Sequence, residues 1–193
     1  MSVDWARAER WTELLLKEQL AELQAVFAAH GARGPSIKWR PTVDELQWQP
    51  MKFALDRWTQ AATDGVPTTR LVDPIEFAPA LGYLLLVDIL DGGHDFTYRL
   101  FGSHVSAVSG FDMTRKKLSE HPASVYIREF SIALYRAAII RREPAWSHYG
   151  PAMAVSTAAW ERVVLPLTDD AGTVCRFLVA TVPISLDGDV LKN

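Results

Sequence analysis

Residues 4 to 29, DWARAERWTELLLKEQLAELQAVFAA, contain no Pro or Gly and are rich in Ala, Leu, Glu and Lys, which predicts a helix of about seven turns with Asp4 at its N-cap. Leu16, Leu20, Leu23 and Phe27 step by four, three and four, the spacing of a coiled-coil seam, and Trp11 and Leu14 broaden the stripe. Such a stripe has two uses. Either it lies on the chain's own domain, or Trp11, Leu16, Leu20, Leu23 and Phe27 meet a second copy and make a homodimer. The next stretch, HGARGPSIKWRP, carries two Gly and two Pro and predicts a connector. A boundary therefore falls between an N-terminal element at 1–41 and a domain at 42–193.

Within that domain Thr42 and Glu45 have capping-box spacing, and Met51, Leu55, Trp58 and Ala62 share one helical face, so a second helix is predicted over 43–62. Pro67, Pro74 and Pro79 then forbid a long regular element. YLLLVDIL and DFTYRLFG flank the turn DGGH and read as a hairpin. Gly102 breaks its second strand, and Ser103 is placed to cap a short helical segment at 104–109. Pro122 opens a longer helix running to Arg142, with Tyr126, Ile127, Phe130, Ala133, Leu134 and Ala137 on one face. Arg128, Glu129 and Arg136 fall on the other, where Ile132 and Ile139 form an expected partner-contact stripe. Three more strands complete the pattern: AWSHYGPA, AAWERVVLPLTD and, after a DDAG turn, TVCRFLVATVPI.

Strand runs separated by one helical block indicate an α+β fold: a five-stranded antiparallel sheet with helices inserted between strands 2 and 3, plus an N-terminal helical extension. YLLLVDIL and RVVLPL are apolar on both faces, so both faces of the sheet must be covered. The inserted helices take one face. Residues 4–29, a partner subunit or both are expected on the other.

Composition narrows the function classes. A net charge of −3 over 193 residues, with arginines scattered rather than clustered, offers no field for a phosphate backbone, so nucleic acid is not expected. The single Cys175 excludes an intramolecular disulfide and a multi-cysteine zinc site. No basic region followed by an apolar run opens the chain, and no stretch approaches the roughly 18 apolar residues that span a bilayer, so a cytoplasmic location without membrane contact is expected.

The element order is that of a PAS domain, and the chain resembles a family of stand-alone PAS-like proteins of alphaproteobacteria, formerly of unknown function. The resemblance runs from about Trp48 to Pro183. Its residues are Asp73 with Pro74, Pro79 with Leu81, the strand ending in Asp88, FTYRLFGS at 96–103, GFDMT at 110–114 with Leu118, and ERVVLPLTDDAG at 161–172. One position departs: the family usually has Gly after the Asp-x-Thr, as in GRDLTGR, and here it is Arg115. If that Gly serves a left-handed turn, Arg115 is strained or the loop takes another path. The resemblance implies a sensory or signalling module that encloses a small pocket and dimerises through an N-terminal helix. With no kinase, cyclase or DNA-binding region following, its output is expected to pass through association with another signalling protein.

For the pocket, the helix face and the strands together nominate Phe101, Val105, Val108, Tyr126, Phe130, Leu134, Val163 and Leu165, which could equally be a filled core. His104 adjoins them, and three readings stand for it: a capping or surface residue, a hydrogen-bonding pocket residue, or a haem ligand. Among the other histidines, His30 ends a helix, His94 sits in a turn, His121 precedes Pro122 and His148 lies in a strand. No pair has H-x-x-x-H spacing, so no metal site is expected, and no cofactor is required. No nucleophile elbow or Walker loop is present, and Cys175 sits inside a strand, so no catalytic residue is nominated. A small pocket enzyme of isomerase or hydratase type, with His104 or Glu161 as base, remains the alternative to a sensor.

Overall fold

Two long strands, β5 (Thr157–Thr168) and β6 (Val174–Ser185), form the middle of the sheet in the computed structural model, which describes residues 2–63, 65–151, 157–185 and 188–191. Around them stand β1 (Arg33–Trp39), β2 (Leu84–Leu90), β3 (Asp95–Phe101) and β4 (Ala145–Gly150), in the order β1-β4-β5-β6-β2-β3 with every neighbouring pair antiparallel. Strands β2 to β6, with α4 (Ser103–Ser109) and α5 (Val125–Arg141) between β3 and β4, are the expected five-stranded arrangement. Of the strand expected from AWSHYGPA, Ala152 lies outside the described residues.

The sixth strand is the stretch read as a connector. Its Pro35 is tolerated because β1 is an edge strand whose register against β4 shifts between Arg33 and Ser36, so no ladder donor is missed. Gly34 is needed for close approach: a Cβ there would lie 2.8 Å from the Gln24 backbone.

The long N-terminal helix is two, α1 (Trp5–Leu16) and α2 (Ala21–Ala29). Between them Glu18 takes a left-handed conformation with φ 58°, and the Gln19 and Glu18 amides donate to the Leu14 and Leu15 carbonyls. This is a Schellman ending with Glu where Gly is usual, so composition gave no sign of it. The turn folds α2 back, where Glu22 accepts from Arg10 and from the Trp11 indole. The capping box at Thr42 and Glu45 exists but closes a single 3-10 turn (Val43–Glu45), and α3 (Gln49–Ala61) starts later, with Pro50 in its first turn.

Both faces of the sheet are covered, though not as expected. On one face Met51, Leu55 and Trp58 of α3 pack with Phe77 over Leu84, Val163, Leu165, Leu178 and Ala180. On the other lies α5, with α1 packed on α5 and α2 packed mainly on β1 and beside α5, so residues 4–29 share a face with the inserted helices. Trp11, Leu23, Phe27 and Ile132 are therefore fully buried in the chain's own core, and Leu16, Leu20 and Ile139 are half-buried against it. The boundary drawn at residue 41 falls inside one shared core. Glu129, expected on an exposed face, is buried under α1, where it accepts from the Asp4 amide at 2.8 Å and the Arg7 Nε at 2.6 Å. Burial pushes its carboxyl up in pKa, against these two donors.

Candidate functional site

Gly102 ends β3 with φ −55°, so it is not a left-handed turn that requires glycine here. A Cβ would stand 2.4 Å from the Gly82 carbonyl oxygen, and only glycine lets the chain pass this close. Gly102 is also the N-cap of α4, which begins at Ser103 and has no side-chain cap. The crossing swings α4 over the end of the sheet and leaves a cavity of about 280 Å³ between α4, α5 and the strands. Apolar walls come from Leu85, Phe101, Val105, Val108, Ile127 and Trp160.

Polar groups come from the alternation of β5 and β6. Arg162 and Thr181 are paired in register and both line the cavity, whereas their neighbours Val163 and Ala180 face α3. Arg162 is 8% exposed. It donates to the Tyr149 hydroxyl at 2.6 Å and the Ser131 hydroxyl at 3.4 Å, and its Nε has no hydrogen-bond partner. Among the described residues the lining holds no Asp or Glu and Arg162 forms no ion pair. Burial pushes the nearby phenols of Tyr98, Tyr135 and Tyr149 up, so none supplies a negative charge.

His121 also lines the cavity. Burial first, then the charges of Arg162 and Arg128, lower its pKa to about 4, so the ring is neutral at neutral pH. Its Nδ1 accepts from the Ala123 amide at 3.1 Å, which leaves its proton on Nε2. Arg128 reaches the wall from α5 while donating to the Ser119 carbonyl at 2.7 Å.

Of the residues nominated for the pocket, Phe101, Val105 and Val108 line the cavity. Val163 and Leu165 lie on the opposite face under α3, one residue out of phase with the cavity wall. Tyr126 and Phe130 pack edge-on against Phe27 at 4.7 and 5.8 Å, and Leu134 is core. On α5 the cavity takes Ile127, Arg128 and Ser131 instead. His104 stands outside the lining, its ring 4.4 Å from that of Tyr83 and its Nε2 2.5 Å from the Leu191 carbonyl, which removes the haem-ligand reading's basis. Glu161 faces away from the cavity, near the Trp146 indole and His148. Among the described residues no group of His, Cys, Asp and Glu could hold a metal ion, and no helix is long and apolar enough to cross a membrane.

Arg162 and His121 were missed, although one signal pointed to the first. Glu161 and Arg162 are the only charges in the strand Thr157–Thr168, and in a sheet covered on both faces neighbouring charges must point to opposite covers. His121 had no comparable signal, since the chain reaches the cavity there by an irregular path.

The expected departure at Arg115 is real. Its φ is 66°, so it adopts the left-handed turn in place of glycine, and its amide donates to the Tyr98 carbonyl at 2.6 Å.

No curated protein and no solved structure matches the chain. The family model described as a PAS domain matches residues 47–181, from just before α3 into β6, and so takes in every strand and helix around the cavity and leaves out α1, α2 and β1. With most of its length inside that match and the five-stranded order in place, the chain belongs to the PAS domain family, a family of sensory and signalling domains.

Proposed function

We propose that this domain senses a small molecule held in the cavity between α5 and the sheet and reports its occupancy to a signalling protein by direct association. The observation that carries the reading is the cavity itself: about 280 Å³, apolar-walled, with convergent polar groups from Arg162, His121 and Ser131. Helix α5 links the two events. One side of it supplies Ile127, Arg128 and Ser131 to the cavity, and another holds α1 through Glu129 and Arg7. A ligand that favours one position of α5 shifts the population of docked α1 and changes the surface a partner meets.

The domain acts by binding rather than turnover in this reading, supported by the placement of His104 and Glu161, the two bases nominated from the sequence, outside the cavity. A homodimer seamed by Trp11, Leu23 and Phe27 would first have to strip them from their own core, so α1 and α2 serve here as the layer that responds. Hydrogen exchange on the full chain tests this. A cavity ligand should change protection in both α5 and α1, and a change confined to the cavity wall would refute the coupling.

A further inference from the structure

A guanidinium stays charged at any accessible pH, and removing it from water is unfavourable unless an anion or a full set of acceptors compensates. Arg162 has neither. The hydroxyls it meets, those of Tyr149, Ser131 and Tyr135, are neutral, its guanidinium lies 5.0 Å from the Tyr149 ring, its Nε has no hydrogen-bond partner, and among the described residues no carboxylate lines the cavity it borders. The Glu129 carboxylate on the far side of α5 is taken up by Arg7 and the Asp4 amide, and Asp95 by Ser119 and the Phe96 amide. The Arg162 charge is thus left without a counter-charge among the described residues, in a chamber whose walls are mainly apolar and which Arg128 also lines.

Resting on the sensory reading above, we infer that the cavity selects a small monocarboxylate with an apolar or aromatic body, its carboxylate held by Arg162. The planar guanidinium matches a carboxylate by parallel N–H donors, and the neutral His121 ring, protonated on Nε2, is a further donor in the same lining. Phe101, Phe111, Val105, Val108 and Trp160 face the rest of the ligand. At about 30 Å³ for each water-sized group, the chamber holds a body of on the order of ten non-hydrogen atoms.

The experiment is a paired titration of the full chain by calorimetry and thermal shift, using phenylacetate, 3-phenylpropanoate and hexanoate, each beside its neutral primary amide. The acids should bind at least tenfold more tightly than their amides, and Arg162→Met should reduce acid binding by tenfold or more and amide binding by much less, so that the preference for the acid is lost. Amides equal to acids in the wild-type chain, or acid binding unaffected by Arg162→Met, would overturn the carboxylate assignment and leave the ligand-sensing reading standing. Binding of neither set would overturn both. The acid and amide comparison needs no variant, so it decides the matter even if Arg162→Met does not fold.

Discussion

The two faces of the sheet are made by the same strands and differ in almost every physical respect. Under α3, the side chains of Leu84, Val163, Leu165, Leu178 and Ala180 are fully buried and apolar, and the Trp58 indole N–H donates to the Pro166 carbonyl at 2.8 Å. Under α5 the same strands bury Arg162, Ser147 and Thr181 and leave a chamber. One face is packed throughout, and the other combines a packed core around α5 with a mainly apolar cavity that buries a few polar groups. A domain this size has core enough to hold both because α1, α2 and β1 add a further layer and a further strand to the hollow side.

That contrast breaks most completely if the added layer is removed. Deleting residues 1–40 strips β1 from the sheet and exposes Ile132, Phe130 and Glu129. We expect loss of the cooperative urea transition, at least about 5 kcal/mol, the whole stability of many domains. A folded 41–193 fragment by circular dichroism would mean that the layer is an accessory.

Adjacent leucines on β2 sharpen the comparison. Leu84 points into the dry face and Leu85 borders the cavity. Leu84→Ala should cost about 3 kcal/mol and Leu85→Ala roughly half of that, because a side chain beside existing free space loses fewer contacts. Equal losses in denaturant titrations would show that the two faces are packed alike.

Acid should act on the hollow face first. His121 titrates near 6.5 when unfolded and about 4 when folded, so between these values the unfolded chain binds more protons and stability falls as the pH is lowered. The loss levels off about one unit below pH 4 and is on the order of 3 kcal/mol. His121→Gln should flatten this part of the stability profile, and an unchanged slope would remove His121 as its source.

Smaller effects are expected at two arginines. Arg162→Met, without ligand, should change stability by about 1 kcal/mol or less, since a buried charge without a counter-charge gains little from its neutral partners. Arg115→Gly should stabilise by about 0.5 to 1 kcal/mol by relieving the left-handed backbone. A melting temperature that falls in Arg115→Gly would mean that the side chain makes up for its strain.

The hairpin of β2 and β3, the paired β5 and β6 and the long α5 were readable because period and turn residues mark them locally. The two-helix N-terminus was not, because Glu18 takes a position that glycine usually signals. Nor was β1, since Pro35 and Gly34 are breakers everywhere except on an irregular edge strand. Within the site, Phe101, Val105 and Val108 followed from the break at Gly102, whereas Val163 and Leu165 were placed one residue out of phase, an error that moves every side chain to the other face.

Local periodicity thus carried the element order from α3 onward, the α+β layout and the requirement that both sheet faces be covered, because each follows from residues near one another in the chain. Which helix covers which face, and which face stays hollow, depended on contacts between segments more than a hundred residues apart, such as Asp4 and Arg7 with Glu129. A cavity is a place where such contacts are missing. No stretch of sequence encodes a missing contact, so the chamber around Arg162 emerges only when α4, α5 and the sheet are assembled around it.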